Sequence, residues 1–415
     1  TSLSVSTTSN LGANVTTSGT QTYTGAVTLS GADRTLQGST INFGNTLTGT
    51  GSHDLIITGA LDLDGVATSI VDLSVSTTSN LGANVTTSGT QTYTGAVTLS
   101  GAARTLTTAG SAVTFSNTVN GAQDLTVDTT NSGASSAATV QFGGVVGGTT
   151  PVGAIIITGN LDLNANILQS DNTAGATSIN VSGTSDLGAN VKTTGDQTYT
   201  GNTTVSADIT LTGGAQLTFG GTVNSSSTDS ASDTDNLSIV FTETEFDGIV
   251  GGTYGLGVIS ITGALDLDND ITSATSLSVS TTSNLGANVT TSGTQTYSGA
   301  VTLSADNVLT TTANGNVSFG STTNGAQTLS ITTNGMGDVT FTDDVGESAG
   351  LNGLTISTND FNAVDLKVGG NISITNTGTS SDITGVIAND DTAAVFTKAG
   401  SGTLTLSGNN TYTGA

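Results

Sequence analysis

The chain has 415 residues, 57 of them Gly, with one Pro, one Met, no Trp, no Cys and only 4% aromatic side chains. This excludes ordinary globules with thick cores, so burial must come from Val, Ile, Leu and Ala in thin layers. A net charge of −26, with five basic residues (Arg34, Arg104, Lys192, Lys367, Lys398) against 31 acidic ones, excludes a nucleic-acid binder, which needs cations to displace phosphate counterions.

An anionic membrane surface would repel the chain for the same reason. No apolar stretch approaches the length of a membrane span, so no membrane insertion is expected in this segment. Only 9% of residues are charged and short β-branched runs recur throughout, which points to order. The acidity suits a soluble secreted surface and leaves room for divalent cations. The lack of cysteine fits a long solenoid, which gains stability by adding neighbours.

In chain order, the first element is a block from Leu3 to Ser30, LSVSTTSNLGANVTTSGTQTYTGAVTLS. It recurs letter for letter at Leu73 to Ser100, more loosely from Ile179 to Ser206, and at Leu277 to Ser304 with Ser298 in place of Thr24. A strand ending in Phe and followed by a turn comes next at Ile41 (INFGNTLTG), and returns at Val113, Leu217 and Val317. ITGALDLDG from Ile57 is echoed from Ile157 and Ile261, and the glycine cluster from Phe142 is echoed from Phe246. Each is a run of four to seven residues with period-two alternation between turn formers, the mark of a short strand. In Leu61-Asp62-Leu63-Asp64 the leucines point one way and the aspartates the other. Asn-Gly pairs at Asn120, Asn324, Asn334 and Asn352 supply left-handed turn positions. The reading is all-β.

Blocks starting at 3, 73, 179 and 277 are spaced by 70, 106 and 98 residues. Tandem β-sandwiches cannot shed a third of their strands and keep both sheets covered, whereas a parallel β-helix adds or drops whole coils. Coils of about 20 to 26 residues rising about 4.8 Å would stack the whole of 1–415 into one continuous solenoid, a rod of very roughly 80 to 100 Å. Val, Leu, Thr and Asn ladders would run along it. The chain lacks an initiator Met and stops at TYTGA, where the other copies continue into VTLS, so a fragment of a longer protein is expected.

QTYTGAVTL, VTFSNTVNGAQDLTV and FGGVVGGTTPVGAIIITGNL resemble the repeats of β-strand-repeat and filamentous-haemagglutinin-like bacterial surface adhesins. Phe396 to Ala415, FTKAGSGTLTLSGNNTYTGA, resembles the autotransporter-associated β-strand repeat. The resemblance implies a right-handed parallel β-helix exported through an outer membrane to the surface of a Gram-negative-type bacterium. No translocating barrel accompanies it here, which leaves the export route open.

Four kinds of site are conceivable from the sequence. The recurring Tyr23, Tyr93, Tyr199, Tyr297 and Tyr412 could stack on sugars if exposed, but large aromatics are mostly buried, so packing at coil corners beside Gly is expected. Calcium is the one possible cofactor, with Asp62, Asp64, Asp266, Asp268, Asp270, Asp343 and Asp344 as candidate ligands and Asp229, Asp233 and Asp235 as a further group. Alternating Asp on a strand is more often a solvated face that discourages edge pairing. Catalysis is poorly supported. His53 lies in a Gly-Ser turn beside Asp54 with no Cys partner, and adjacent strand residues face opposite sides; Glu243 and Glu245 lack a basic cleft, and Gly251-Gly252 is not followed by a phosphate-loop lysine. A Thr-rich ice-binding face is disfavoured by the irregular spacing, since Thr is a common solvent-facing strand residue.

The expectation is therefore a non-catalytic structural shaft of a secreted adhesin or extracellular filament. Self-association, head-to-tail or lateral, and contact with surface glycans or other cells are the partners considered. A carbohydrate-active β-helix enzyme is the alternative, and an ice-binding solenoid a minor one.

Overall fold

The computed structural model describes residues 1–130, 137–226, 234–390 and 392–414. Among them there is no helix, and the paired strands are parallel, stacked as a β-solenoid. Two compact units are present, Thr1–Thr203 with Thr212–Gly214, and Thr204–Leu211 with Ala215–Ala415.

In the first unit each coil carries three short stretches of strand, one on each of three faces. Inward side chains on the first face form the column Val5, Tyr23, Phe43, Leu63, Leu81, Leu99. The second face runs Val27, Leu47, Ala67, Val85, Leu106, Val127, Ile157, Val181, Tyr199. The third runs Val15, Leu36, Ile57, Val75, Tyr93, Phe115, Phe142, Leu163, Leu187. The long strands Arg34–Phe43 and Leu55–Leu63 each serve two faces, bending where the register shifts between Gln37 and Thr40. A coil can be as short as 18 residues, the interval from Leu3 to Gln21, which is tighter than the spacing arguments predicted.

The interior is the expected thin apolar layer with an unexpected aromatic seam. Tyr93 stacks on Phe115 and Phe115 on Phe142, with ring centroids 5.4 and 5.2 Å apart. The few aromatic residues are thus concentrated in continuous columns, where each face-to-face contact adds to area burial. Tyr23, Tyr93 and Tyr199 are fully buried on strands; they do not sit at corners. Each phenol donates to the Gln two residues earlier, for example Tyr23 to Gln21 Oε1 at 3.0 Å, so the buried hydroxyl is satisfied. The Gly two residues after each Tyr is there for proximity. A Cβ on Gly25 would lie 2.3 Å from the backbone of Thr7 in the coil below.

In the second unit the same plan gives a column Ile239, Ile261, Val279, Tyr297, Phe319, Phe341. Another runs Phe246, Leu267, Leu285, Leu303, and a third runs Val250, Ile271, Val289, Leu309, Ile331, Ile356, Ile374. Tyr297, Phe319 and Phe341 stack at 5.3 and 4.4 Å, and Phe361 closes the seam edge-on. Tyr412 differs from the other four, being half-buried and tilted against Phe396.

Polar residues tie coil to coil on the outside. Asp33 Oδ1 accepts the Asp54 N–H and Asp54 Oδ1 the Asp72 N–H, at 3.1 and 3.2 Å. Asn14, Asn84 and Asn120 do the same for Thr35, Thr105 and Thr149. The Asn-Gly pairs at 120, 324 and 334 do place Gly at positive φ; Gly353 instead opens the strand Gly353–Thr358. Thr22, Thr92 and Thr198 stand beside the three tyrosines on three different faces, so these copies assemble no single flat threonine rank.

Candidate functional site

The acidic residues separate into those already engaged and those that gather. Asp62 is engaged, since its two carboxylate oxygens accept the side-chain amides of Asn42 and Asn80 at 2.8 Å each, from the coils below and above. Asp266 accepts Asn284 in the same way, Asp270 accepts the Asn288 N–H, and Asp343 accepts the Asp344 N–H. Asp64 is exposed and projects alone from its turn. Asp235 holds Ser225; Asp229 and Asp233 lie outside the described residues.

Among the described residues, Asp268 is the one calcium candidate that joins a compact carboxylate group, and its partners are Glu245 and Asp247. Carboxylate oxygens of the three come within 4.8 Å of one another. The strands explain it. Leu237–Phe246 and Leu256–Leu267 pair with Phe246 opposite Leu267, which brings Glu245 over Asp266 and sets the turn residues Asp247 and Asp268 in adjacent coils. Glu245 also accepts Gln216 and Thr218 of the coil below, at 2.8 and 3.1 Å. Partial burial, then the negative charge of Asp247, holds the Glu245 carboxyl above its usual range, and burial followed by Asp266 does the same to Asp268. The sequence pattern drew attention to Glu245 and Asp268 separately and missed Asp247. TETEFD and LDLDND carry the signal only once the coil length between them is known.

A native state that holds protons more tightly than the unfolded chain gains stability as pH falls into that interval, and loses it as pH rises through the raised values. Acidification from about pH 7 to about pH 5 is therefore expected to relieve this cluster, and Glu245→Gln to give part of the gain already at neutrality. Because these groups are partly solvated, the effect should stay below about 1 kcal/mol. Thermal unfolding of both proteins across that interval measures it.

A second concave region lies around Asp344. Asp344, Glu347, Asp365 and Lys367 line a cavity of about 290 Å³ with Leu366 and Val386. Lys367 Nζ lies 2.8 Å from Asp390 Oδ1, and burial together with Asp365 raises the Asp344 carboxyl. This lining mixes acidic and basic groups, which a count of basic residues over the whole chain does not reveal. A third concavity of about 420 Å³ is walled by hydroxyls, among them Thr272, Ser273 and Thr290, and carries no charged side chain among the described residues.

Asp54, beside His53, accepts the Asp72 N–H, and Glu245, two residues along its strand from the exposed Glu243, accepts Gln216 and Thr218 of the coil below. Gly251 takes φ +71° close against Ser273, a turn position with no phosphate-loop lysine after it.

The molecule is thus a parallel β-solenoid in which outer Asp and Asn side chains tie coil to coil. Residues 396–415 match the model of the passenger-associated-transport-repeat family. That segment forms Phe396–Ala399 and Leu404–Leu406, paired with Ile372–Asn376 and Ser381–Ile383, and Lys398 donates to the Gly402 carbonyl at 3.0 Å, holding its own turn. The match and the solenoid fit the autotransporter-associated β-strand-repeat adhesins, and fit a secreted passenger domain at the cell surface. No curated protein and no solved structure matches the chain.

Proposed function

We propose that this chain is the non-catalytic shaft of a secreted adhesin or extracellular filament on a Gram-negative-type bacterium. The observation that carries the reading is the use of the polar surface. Asp62, Asp33, Asp54 and the Asn series spend their oxygens on neighbouring coils, which supports stacking and leaves little preorganised for a substrate. The passenger repeat at 396–415 supports export to the outside of the cell. Contact with glycans, other cells or further copies of the chain belongs to the same proposal, with exposed strand edges able to pair by β-augmentation. Calcium at Glu245, Asp247 and Asp268 would be structural. Attachment of cells displaying the full-length protein tests the role: deleting coils from this segment should alter surface contact while export continues, and unchanged attachment would remove the adhesive part of the reading.

The lining at Asp344, Glu347, Asp365 and Lys367 favours one second reading, a carbohydrate-active β-helix. Incubation of the purified chain with acidic and neutral polysaccharides separates the two. Release of new chain ends that disappears in Asp365→Asn would replace the shaft with an enzyme.

A further inference from the structure

The blocks Leu3–Ser30 and Leu73–Ser100 are identical in sequence and differ in position. Tyr23 belongs to the first-face column and Tyr93 to the third. The column above Tyr23 reaches Leu81 after three coils, and Tyr93 lies two faces further along the chain, beyond Val85. The looser third copy steps again in the same sense. Above Tyr93 its column reaches Leu187 after four coils, and Tyr199 lies two faces on, on the second face. Each copy must therefore fold against whatever face it meets.

The block is built for that. It is longer than one coil, so it closes a turn on itself, with Leu3 opposite Gln21 and Leu73 opposite Gln91. Its buried polar group is satisfied largely from within. Gln21 donates to Val15 O at 3.1 Å and receives the Tyr23 hydroxyl, and Gln91 donates to Thr87 Oγ1 at 3.3 Å and receives Tyr93. Everything the next coil rests on also lies inside it. Leu106, Phe115 and Val119 sit on Val85, Tyr93 and Val97, whose counterparts Val15, Tyr23 and Val27 carry Leu36, Phe43 and Leu47 in the first copy.

We infer that the identical blocks are interchangeable seams at which this solenoid changes length. Joining Ser30 directly to Gly101 removes 70 residues and leaves each remaining coil on a neighbour of unchanged sequence. The stack loses three coils and two faces, and the part of the first unit above the seam turns by one third of a turn. This goes beyond the shaft reading and holds whatever the shaft carries. Recombination between the repeats would then alter reach and the facing of outer side chains together, without a misfitted joint.

The test uses the full chain, which has no cysteine. Thr114 is now the neighbour of Thr92, and after the deletion it should be the neighbour of Thr22. Thr22→Cys and Thr114→Cys are placed both in the intact chain and in the chain lacking Gly31–Ser100. Adjacent strands lie about 4.8 Å apart, within reach of a disulfide. Oxidation should crosslink the shortened chain and leave the intact one open, and without the cysteines the shortened chain should melt cooperatively within a few degrees of the intact protein. A chain lacking Gly31–Thr90 is the control, because it cuts out the Val85 and Thr87 groups that hold Gln91. Failure of the shortened chain to crosslink, crosslinking of the intact chain, or melting no better than the control would each overturn the inference.

Discussion

Phe319→Ala is expected to destabilise the second unit by about 3–5 kcal/mol, the cost of emptying a fully packed aromatic site. Phe319 is wholly buried between Tyr297 and Phe341, with ring centroids at 5.3 and 4.4 Å. Its strand, Val317–Phe319, is only three residues long and has parallel partners on both sides, so neither neighbouring coil can collapse into the space without losing its own register. Phe319→Leu keeps more of the volume and should cost less than half as much. Denaturant titration of the two variants, followed by far-ultraviolet circular dichroism, gives the comparison. A loss for Phe319→Ala under about 1 kcal/mol would mean that the seam is loosely packed.

Gln295→Leu is expected to be comparably damaging for a different reason. The Gln295 amide is fully buried and donates to Val289 O, Thr291 Oγ1 and Thr310 O at 3.2, 3.2 and 2.9 Å, while its oxygen accepts the Tyr297 hydroxyl at 3.3 Å. Leucine fills similar space but strands these groups, each worth about 1–3 kcal/mol when left unpaired and buried, so a total of about 3–5 kcal/mol is expected. Tyr297→Phe removes one hydroxyl and one acceptor's partner and should cost only about 1 kcal/mol. The Gln295→Leu, Tyr297→Phe double variant should be less unstable than the sum, since the phenol no longer needs the amide. Additive losses would show that the two side chains act separately.

These two sites mark how far the sequence could be read. Period-two alternation such as Leu61-Asp62-Leu63 identifies strands and their inner faces, and uneven block spacing identifies stacking, because both depend on neighbours along the chain. Which residues meet across coils depends on coil length, and this is 18 residues between Leu3 and Gln21, 20 between Gln21 and Ile41 and 30 between Leu125 and Ile155. Two residues of difference decide whether Tyr23 meets Phe43 or a turn. For the same reason Asp62 resembles a cation ligand in sequence but is held by Asn42 and Asn80, whereas Asp247 gains meaning only beside Asp268. Buried Gln21 and Gln91 look like ordinary polar strand residues in sequence, and their one signal is a place two positions before an inward Tyr.

The parallel pairing also sets how the chain responds to pulling. Coil-to-coil hydrogen bonds lie in series along each unit, so every coil transmits the same tension, but a pull on one end of the backbone opens the bonds of the outermost coil one after another before those of the next. That coil occupies about 4.8 Å of the stack but releases roughly 60 Å of extended backbone when its 18 residues come away. Each peeled turn thus lengthens the tether more than tenfold over the space it held, and dissipates work in small repeated steps. A surface tether built this way yields gradually under shear and can rewind when the load falls.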